Sequence, residues 1–166
     1  MAEKNLNSLF MDHLKDIYYA ERKIVTAIPK MMKAAQSPEL KQAFEKHHSE
    51  TKAQIHRLEQ VFELVGEKAK GKTCPAIDGI LEEGDESMTE YMKSPAIDAA
   101  LIASAQAVEH YEITRYGTLK RWAEQLGYDD AAKLLNETLE EEAQTDEDLT
   151  TLANSGINSM AMLAAE

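Results

Sequence analysis

Glu21, Glu50, Glu109, Glu112, Glu142 and Asp146 share an unusual setting, because each falls on or close beside the stripe of a long helix that otherwise carries aliphatic side chains. The stretch AVEHYEITRY places Glu109 and Glu112 one helical turn apart beside such a stripe. Carboxylates are seldom buried alone, since desolvating an unpaired charge costs far more than a surface ion pair returns. Basic partners on the same faces are scarce, with Lys120 and Arg57 nearest and each at an edge. Two divalent cations would supply the missing charge. Hard oxygen ligands from facing helices, with the imidazole of His47, make a carboxylate-bridged dimetal site in which neighbouring glutamates each reach a different ion or bridge the pair. Gln54 and Asp146 are expected as ligands or as groups that orient them. One glutamate on an apolar stripe is more often a boundary residue reaching for water; the recurrence on every long helix favours the metal.

Four helices must position these groups. Ser37-Pro38 and Ser94-Pro95 each offer a hydroxyl cap followed by a proline suited to the first helical turn, while Gly66 and Gly127 stand where helices stop. The predicted helices run near 5–35, 38–65, 95–126 and 129–153, with Pro29 expected to bend the first. Glu21 sits among Phe10, Leu14, Ile17, Ile24 and Ile28, and Glu142 among Leu135, Leu139 and Leu149. In the second helix His47, Glu50 and Gln54 are all expected to face inward. The links between the first two helices and between the last two are short, so each pair is antiparallel. Residues 66–94 form one long crossover with room for a short helix, and INSMAMLAAE suggests a short C-terminal helix. An all-α, antiparallel four-helix bundle with a single crossover between helices 2 and 3 has ferritin-like connectivity. Residues 1–166 are read as one domain, with a faint internal duplication that lays Glu21 over Glu112 and Glu50 over Glu142.

The chain carries 18 Lys and Arg against 30 Asp and Glu, a net charge of −12, which repels phosphate backbones and anionic membrane surfaces. Neither nucleic acid nor membrane is expected as a partner. Cys74, the only cysteine, cannot form an intrachain disulfide, and the N-terminus lacks a basic region followed by an apolar run, so a cytoplasmic location is expected. With only 7 Gly and 4 Pro the sequence favours helix throughout.

LKDIYYAERKIV, HHSETKAQIHRLEQVF, AVEHYEITRYGTL and LNETLEEEAQTDEDLTTLA closely resemble the four helices of the YciF/YciE-type stress proteins of the ferritin-like superfamily, and CPAIDGILEEG extends the match into the crossover. The resemblance implies a di-iron or similar dimetal centre, a homodimer and a bacterial stress-response association without a defined activity. Rubrerythrin-like relatives in that superfamily carry Glu on helix 1, Glu-x-x-His on helix 2, paired glutamates on helix 3 and Glu-x-x-His on helix 4. Glu21, Glu109 and Glu112 match this pattern. The second helix instead has His47-x-x-Glu50, with Ala53 at the place of the downstream histidine, and the fourth has Glu142 with Thr145 there and Asp146 next. Replacing imidazole by oxygen hardens the site, so manganese becomes as plausible as iron. Two functions follow: a metal centre acting on oxygen or peroxide or oxidising iron, and a non-catalytic dimeric stress or interaction protein with a vestigial site.

Other residues carry weaker signals. Tyr18 and Tyr116, each one turn from a glutamate, are expected mainly to pack and secondarily to hydrogen-bond a carboxylate. Met31, Met32, Met160 and Met162 are expected in the core. Trp122, Tyr111 and Ala107 mark a second apolar face on the third helix that a dimer partner would cover.

Overall fold

The computed structural model of the chain describes residues 4–163. α1 (Leu6–Ala34) opens on a reciprocal cap in which Ser8 N donates to Asn5 Oδ1 at 3.0 Å and Asn5 N donates to Ser8 Oγ at 2.9 Å. It continues through Pro29 to a link of a few residues. α2 (Pro38–Leu64) starts where expected, with Leu40 N donating to Ser37 Oγ at 3.2 Å and Pro38 in the first turn. Gly66 (φ 77°) and Gly127 (φ 80°) end their helices in the left-handed conformation that a side chain would disfavour. α3 (Pro75–Glu90) lies in the crossover, α4 (Ile97–Leu126) and α5 (Asp129–Leu152) complete the long helices, and a kinked turn at Ala153–Ile157, broken at Gly156 (φ 141°), leads to α6 (Asn158–Met160). No strand occurs among the described residues.

The four long helices close into a ring, α1 against α2 and α4, and α5 against α4 and α2, while α3 lies outside across α4 and α1. The expected all-α bundle with one long crossover is thus observed. Phe10, Leu14, Ile17, Leu58, Phe62, Tyr116 and Leu119 fill the interior with almost no exposed surface. The crossover is tied down before α3 begins, since Lys72 N donates to Lys15 O at 3.1 Å. Gly71 permits that approach, because a Cβ there would stand 3.2 Å from Tyr19 Cβ.

Several expectations are corrected. α4 begins at Ile97 rather than Pro95, because Ser94–Ala96 form a turn in which Ala96 N donates to Ser94 Oγ. Its first turn supplies Asp98 instead, whose carboxylate accepts from Gln36 N (2.7 Å) and Ser37 N (2.8 Å) and so staples the α1–α2 link to α4. The second apolar face of α4 is largely covered by the chain itself: Tyr111 OH lies 3.2 Å from Cys74 Sγ at the start of α3, and Trp122 packs edge-on against His13 of α1. Ala107 stays exposed on the rim of the α3–α4 groove. Met31 and Met32 pack against the core, but Met160 and Met162 are 58% and 86% exposed, because the helical path breaks at Gly156 (φ 141°) instead of continuing along the bundle.

Candidate metal centre

Helix phase decides which polar groups meet. Leu40, Phe44, His47, Thr51, Gln54, Leu58 and Val61 are buried along α2 in alternating steps of four and three, as in a bundle seam, with Phe62 buried beside the last of them. His47 and Gln54 therefore share the inward face, whereas Glu50 is rotated to its edge, its side chain 24% exposed and one oxygen 3.6 Å from Lys46 Nζ. Ala53 is exposed for the same reason. Thus α2 offers an imidazole and an amide to the interior, with its carboxylate at the rim. On α5 the same alternation buries Thr138, Glu142 and Thr145. Asp146 turns aside toward α4, accepting from Gln106 Nε2 at 3.1 Å and standing 3.1 Å from His110 Nε2.

Glu21, Glu109, Glu112 and Glu142 are buried to 1% exposure or less, and His47 to 5%. His47, Glu109, Glu112 and Glu142 each present a donor atom within 4.8 Å of all the others, drawn from α2, α4 and α5. His47 Nε2 is 3.3 Å from Glu109 Oε1. Glu21 adjoins the group from α1, its Oε1 accepting from Tyr116 OH at 2.5 Å. Gln54 Nε2 donates to Glu142 Oε1 and, at 3.0 Å, to Glu141 Oε2. Both Glu112 oxygens, Oε2 of Glu21, Glu109, Glu142 and Glu50, Gln54 Oε1 and His47 Nδ1 are buried without a hydrogen-bond partner.

Their electrostatics reflect burial without compensation. Burial, then the charge of Glu142, pushes the Glu21 carboxyl up to about 8, partly opposed by the Tyr116 hydroxyl. Burial also drives Glu109 well up, with Glu142 adding to it, and Glu112 likewise under the charges of Glu142, Glu21 and Glu109. His47 is pushed down by burial, so its imidazole favours the neutral form that binds metals. Among the described residues no Lys or Arg forms an ion pair with Glu21, Glu109, Glu112 or Glu142. Arg57 instead holds Glu141 with two bonds of 2.9 Å, and donates to Thr138 Oγ1 at 2.7 Å.

The donors suit a hard or borderline divalent ion. Ligands about 2.1 Å from one ion lie at most about 4.2 Å apart, so the 4.8 Å cluster needs only a small contraction to hold one. Glu21 and Gln54 Oε1 lie at its margin, where a second ion could share Glu112 and Glu142. Sequence reasoning underrated Tyr116, whose position one turn after Glu112 was legible, and missed the Arg57–Glu141 pair, which depends on the register of α2 against α5. Tyr18 was placed near Glu21, yet its hydroxyl reaches outward to Glu59 at 3.0 Å.

The family described as "Domain of unknown function (DUF892)" matches residues 5–162. Protein YciF of Escherichia coli (strain K12) is 47% identical over 162 residues, covering 97% of this chain and 98% of the relative. The crystal structure of that E. coli stress protein superposes with a TM-score of 0.89 at 47% identity, over 94% of this chain and 99% of the other. YcfI of Rhodopseudomonas palustris, named as a candidate structural protein, superposes at 0.88 with 46% identity over 91% and 98%. A Xanthomonas campestris protein shares the fold at 21% identity and a TM-score of 0.73, over 93% and 95%.

Proposed function

The chain belongs to the DUF892 family, and from that premise together with its buried carboxylates we propose that it is a stress-response protein whose function is a dimetal centre, iron or manganese, acting on oxygen or peroxide or oxidising iron. One observation carries this reading: four buried glutamates and a histidine converge from all four long helices, each glutamate with at least one oxygen unpaired and no protein cation among them. Such an interior is costly for a protein without metal and is balanced by two divalent charges. His47, Glu109, Glu112 and Glu142 would hold one ion, and Glu21, Glu112, Glu142 and Gln54 the other, with Glu50 free to swing in from the rim. Bound there, the ions would supply one-electron redox chemistry toward a small oxidant.

The chain's own groups have separate tasks. Tyr116 OH, 2.5 Å from Glu21 Oε1, donates its proton toward that oxygen and fixes the carboxylate. Gln54 orients Glu142 through its amide. Arg57 neutralises Glu141, so that this carboxylate adds no further charge beside Glu142. The aliphatic packing above and below excludes bulk water and strengthens every electrostatic interaction within.

The test is the metal content of protein purified without added metal and after anaerobic reconstitution, read by plasma mass spectrometry. About two divalent ions per chain are expected, the number that four carboxylates balance; Glu112→Gln and Glu142→Gln should lose them with helical circular dichroism retained. No uptake by the wild type would end this reading. It would favour a second one, a non-catalytic homodimeric interaction protein with a vestigial site, in keeping with the description of the R. palustris relative.

A further inference from the structure

Two small voids lie end to end between the candidate metal centre and α3. The inner one, about 20 Å³, is walled by Ile24, Ile28, Phe44 and Val108 and ends on His47 and Glu109. The outer one, also about 20 Å³, lies among α1, α3 and α4 and reaches Gly84, Asp85 and Ser104. Ala27, Met31, Leu81 and Val108 line both. Past Gly84 and Ser104 the α3–α4 groove opens to the surface, and past Ala27 and Asp85 the α1–α3 groove does.

The lining of this route determines what can travel along it. Each void has room for about one molecule the size of water, yet a buried water needs roughly two to four polar partners. The inner void offers none before His47 and Glu109 at its far end. An ion would shed its hydration with nothing in exchange, and peroxide would leave its hydroxyl groups unpaired. A small, uncharged, apolar diatomic incurs neither cost. Polar groups gather instead at a different seam, between α2 and α5, where Lys46 and Asp148 are exposed, Glu50 and Glu141 half-buried and Gln54 buried.

We propose that the passage beneath α3 carries dioxygen to the metal centre, and that Ala27, Met31, Leu81, Gly84 and Val108 set its bore. The proposal rests on the metal reading above and narrows its oxidant from oxygen or peroxide to dioxygen. It also gives the crossover helix a purpose, since α3 forms the roof of the passage. Gly84 sits over its outer part, where an added Cβ would meet Ser104 Cβ at 3.5 Å and Oγ at 3.7 Å, ordinary contact distances. Alanine therefore fits at 84, fills part of the void and favours the helix.

Xenon tests the passage without any metal, because dry apolar cavities bind it. Pressurised xenon should occupy the inner void of the metal-free wild type in a crystal and give a bound signal by xenon NMR. Ala27→Val should lose that site, Met31→Ala should enlarge it, and Gly84→Ala, the variant least able to disturb folding, should slow xenon exchange several-fold. In ferrous-loaded protein, nitric oxide, a neutral diatomic, should bind several-fold more slowly in Ala27→Val and Gly84→Ala, with azide binding unchanged. An empty void under xenon, or equal slowing of nitric oxide and azide, would overturn the passage while two bound metals upheld the centre. Xenon in a chain that takes up no metal would instead sink the metal reading, and the passage's destination with it.

Discussion

Raising the pH of the metal-free protein should destabilise it, the reverse of what paired surface carboxylates do. Glu21 is fully buried and its carboxyl is pushed from 4.5 up to about 8. A group whose folded value is raised contributes stability that is complete below its unfolded value and is lost as pH rises through the folded one. At about 1.4 kcal/mol per pH unit, the span from 4.5 to pH 7 costs roughly 3 kcal/mol from Glu21 alone. That is a large share of a domain stability of about 5–15 kcal/mol. Glu109 and Glu112 act in the same direction. His47, held below 6.5 by burial, opposes them, because its neutral form gains stability as pH rises through that value.

The assay is urea unfolding by circular dichroism at constant ionic strength, in chelator, from pH 5 to pH 8, on wild type and Glu21→Gln. The variant isolates the Glu21 contribution from His47 and from the general repulsion of a chain with net charge −12. Wild type should lose stability across this range, and the variant should lose roughly 3–4 kcal/mol less. Saturating divalent metal should reverse the trend, since the ions bind the deprotonated carboxylates and stabilise by mass action. Equal slopes in the two proteins, or a metal-free wild type as stable at pH 8 as at pH 5, would refute the reasoning.

Three further outcomes are expected. Tyr116→Phe removes the hydrogen bond to Glu21 and should weaken metal binding by about 10–100-fold, the usual effect of losing a group that orients a ligand, measured by competition with a chromophoric chelator. Asp98→Ala strips the acceptor from Gln36 N and Ser37 N; bonds to a charged group are worth about 1.5–3 kcal/mol each, so thermal unfolding should shift down sharply with metal content unchanged. Arg57→Ala frees the Glu141 carboxylate beside Gln54 and Glu142, and should cost about 1–3 kcal/mol in metal-free protein by leaving a half-buried charge unpaired.

The sequence made some parts of the site plain. Glu21, Glu109, Glu112 and Glu142 each sit amid aliphatic side chains at helical spacing, and the structure buries all four. Glu50 and Asp146 were less legible because each stands one position from a buried neighbour. A step of one residue turns a side chain by about 100° on a helix. The inward direction shifts gradually along a seam of alternating threes and fours, so a stripe read at fixed angle drifts onto the edge. Gln54 gained by that shift, since it lies seven residues after His47 and shares its phase.

Local chemistry alone determined where α1 and α2 start, that α2 and α4 end at glycine, that the chain is all helix, and that acidic groups would share the interior. Those features depend on propensity, capping and periodicity, which act over a few residues. Tertiary structure alone decided that Arg57 would take Glu141 rather than a buried glutamate, that Asp98 would staple the α1–α2 link, and that α3 would roof α1 and α4 and leave a narrow apolar space above His47. Each depends on the axial register and rotation of helices distant in sequence, and those are fixed only when the side chains of all of them compete for the same volume.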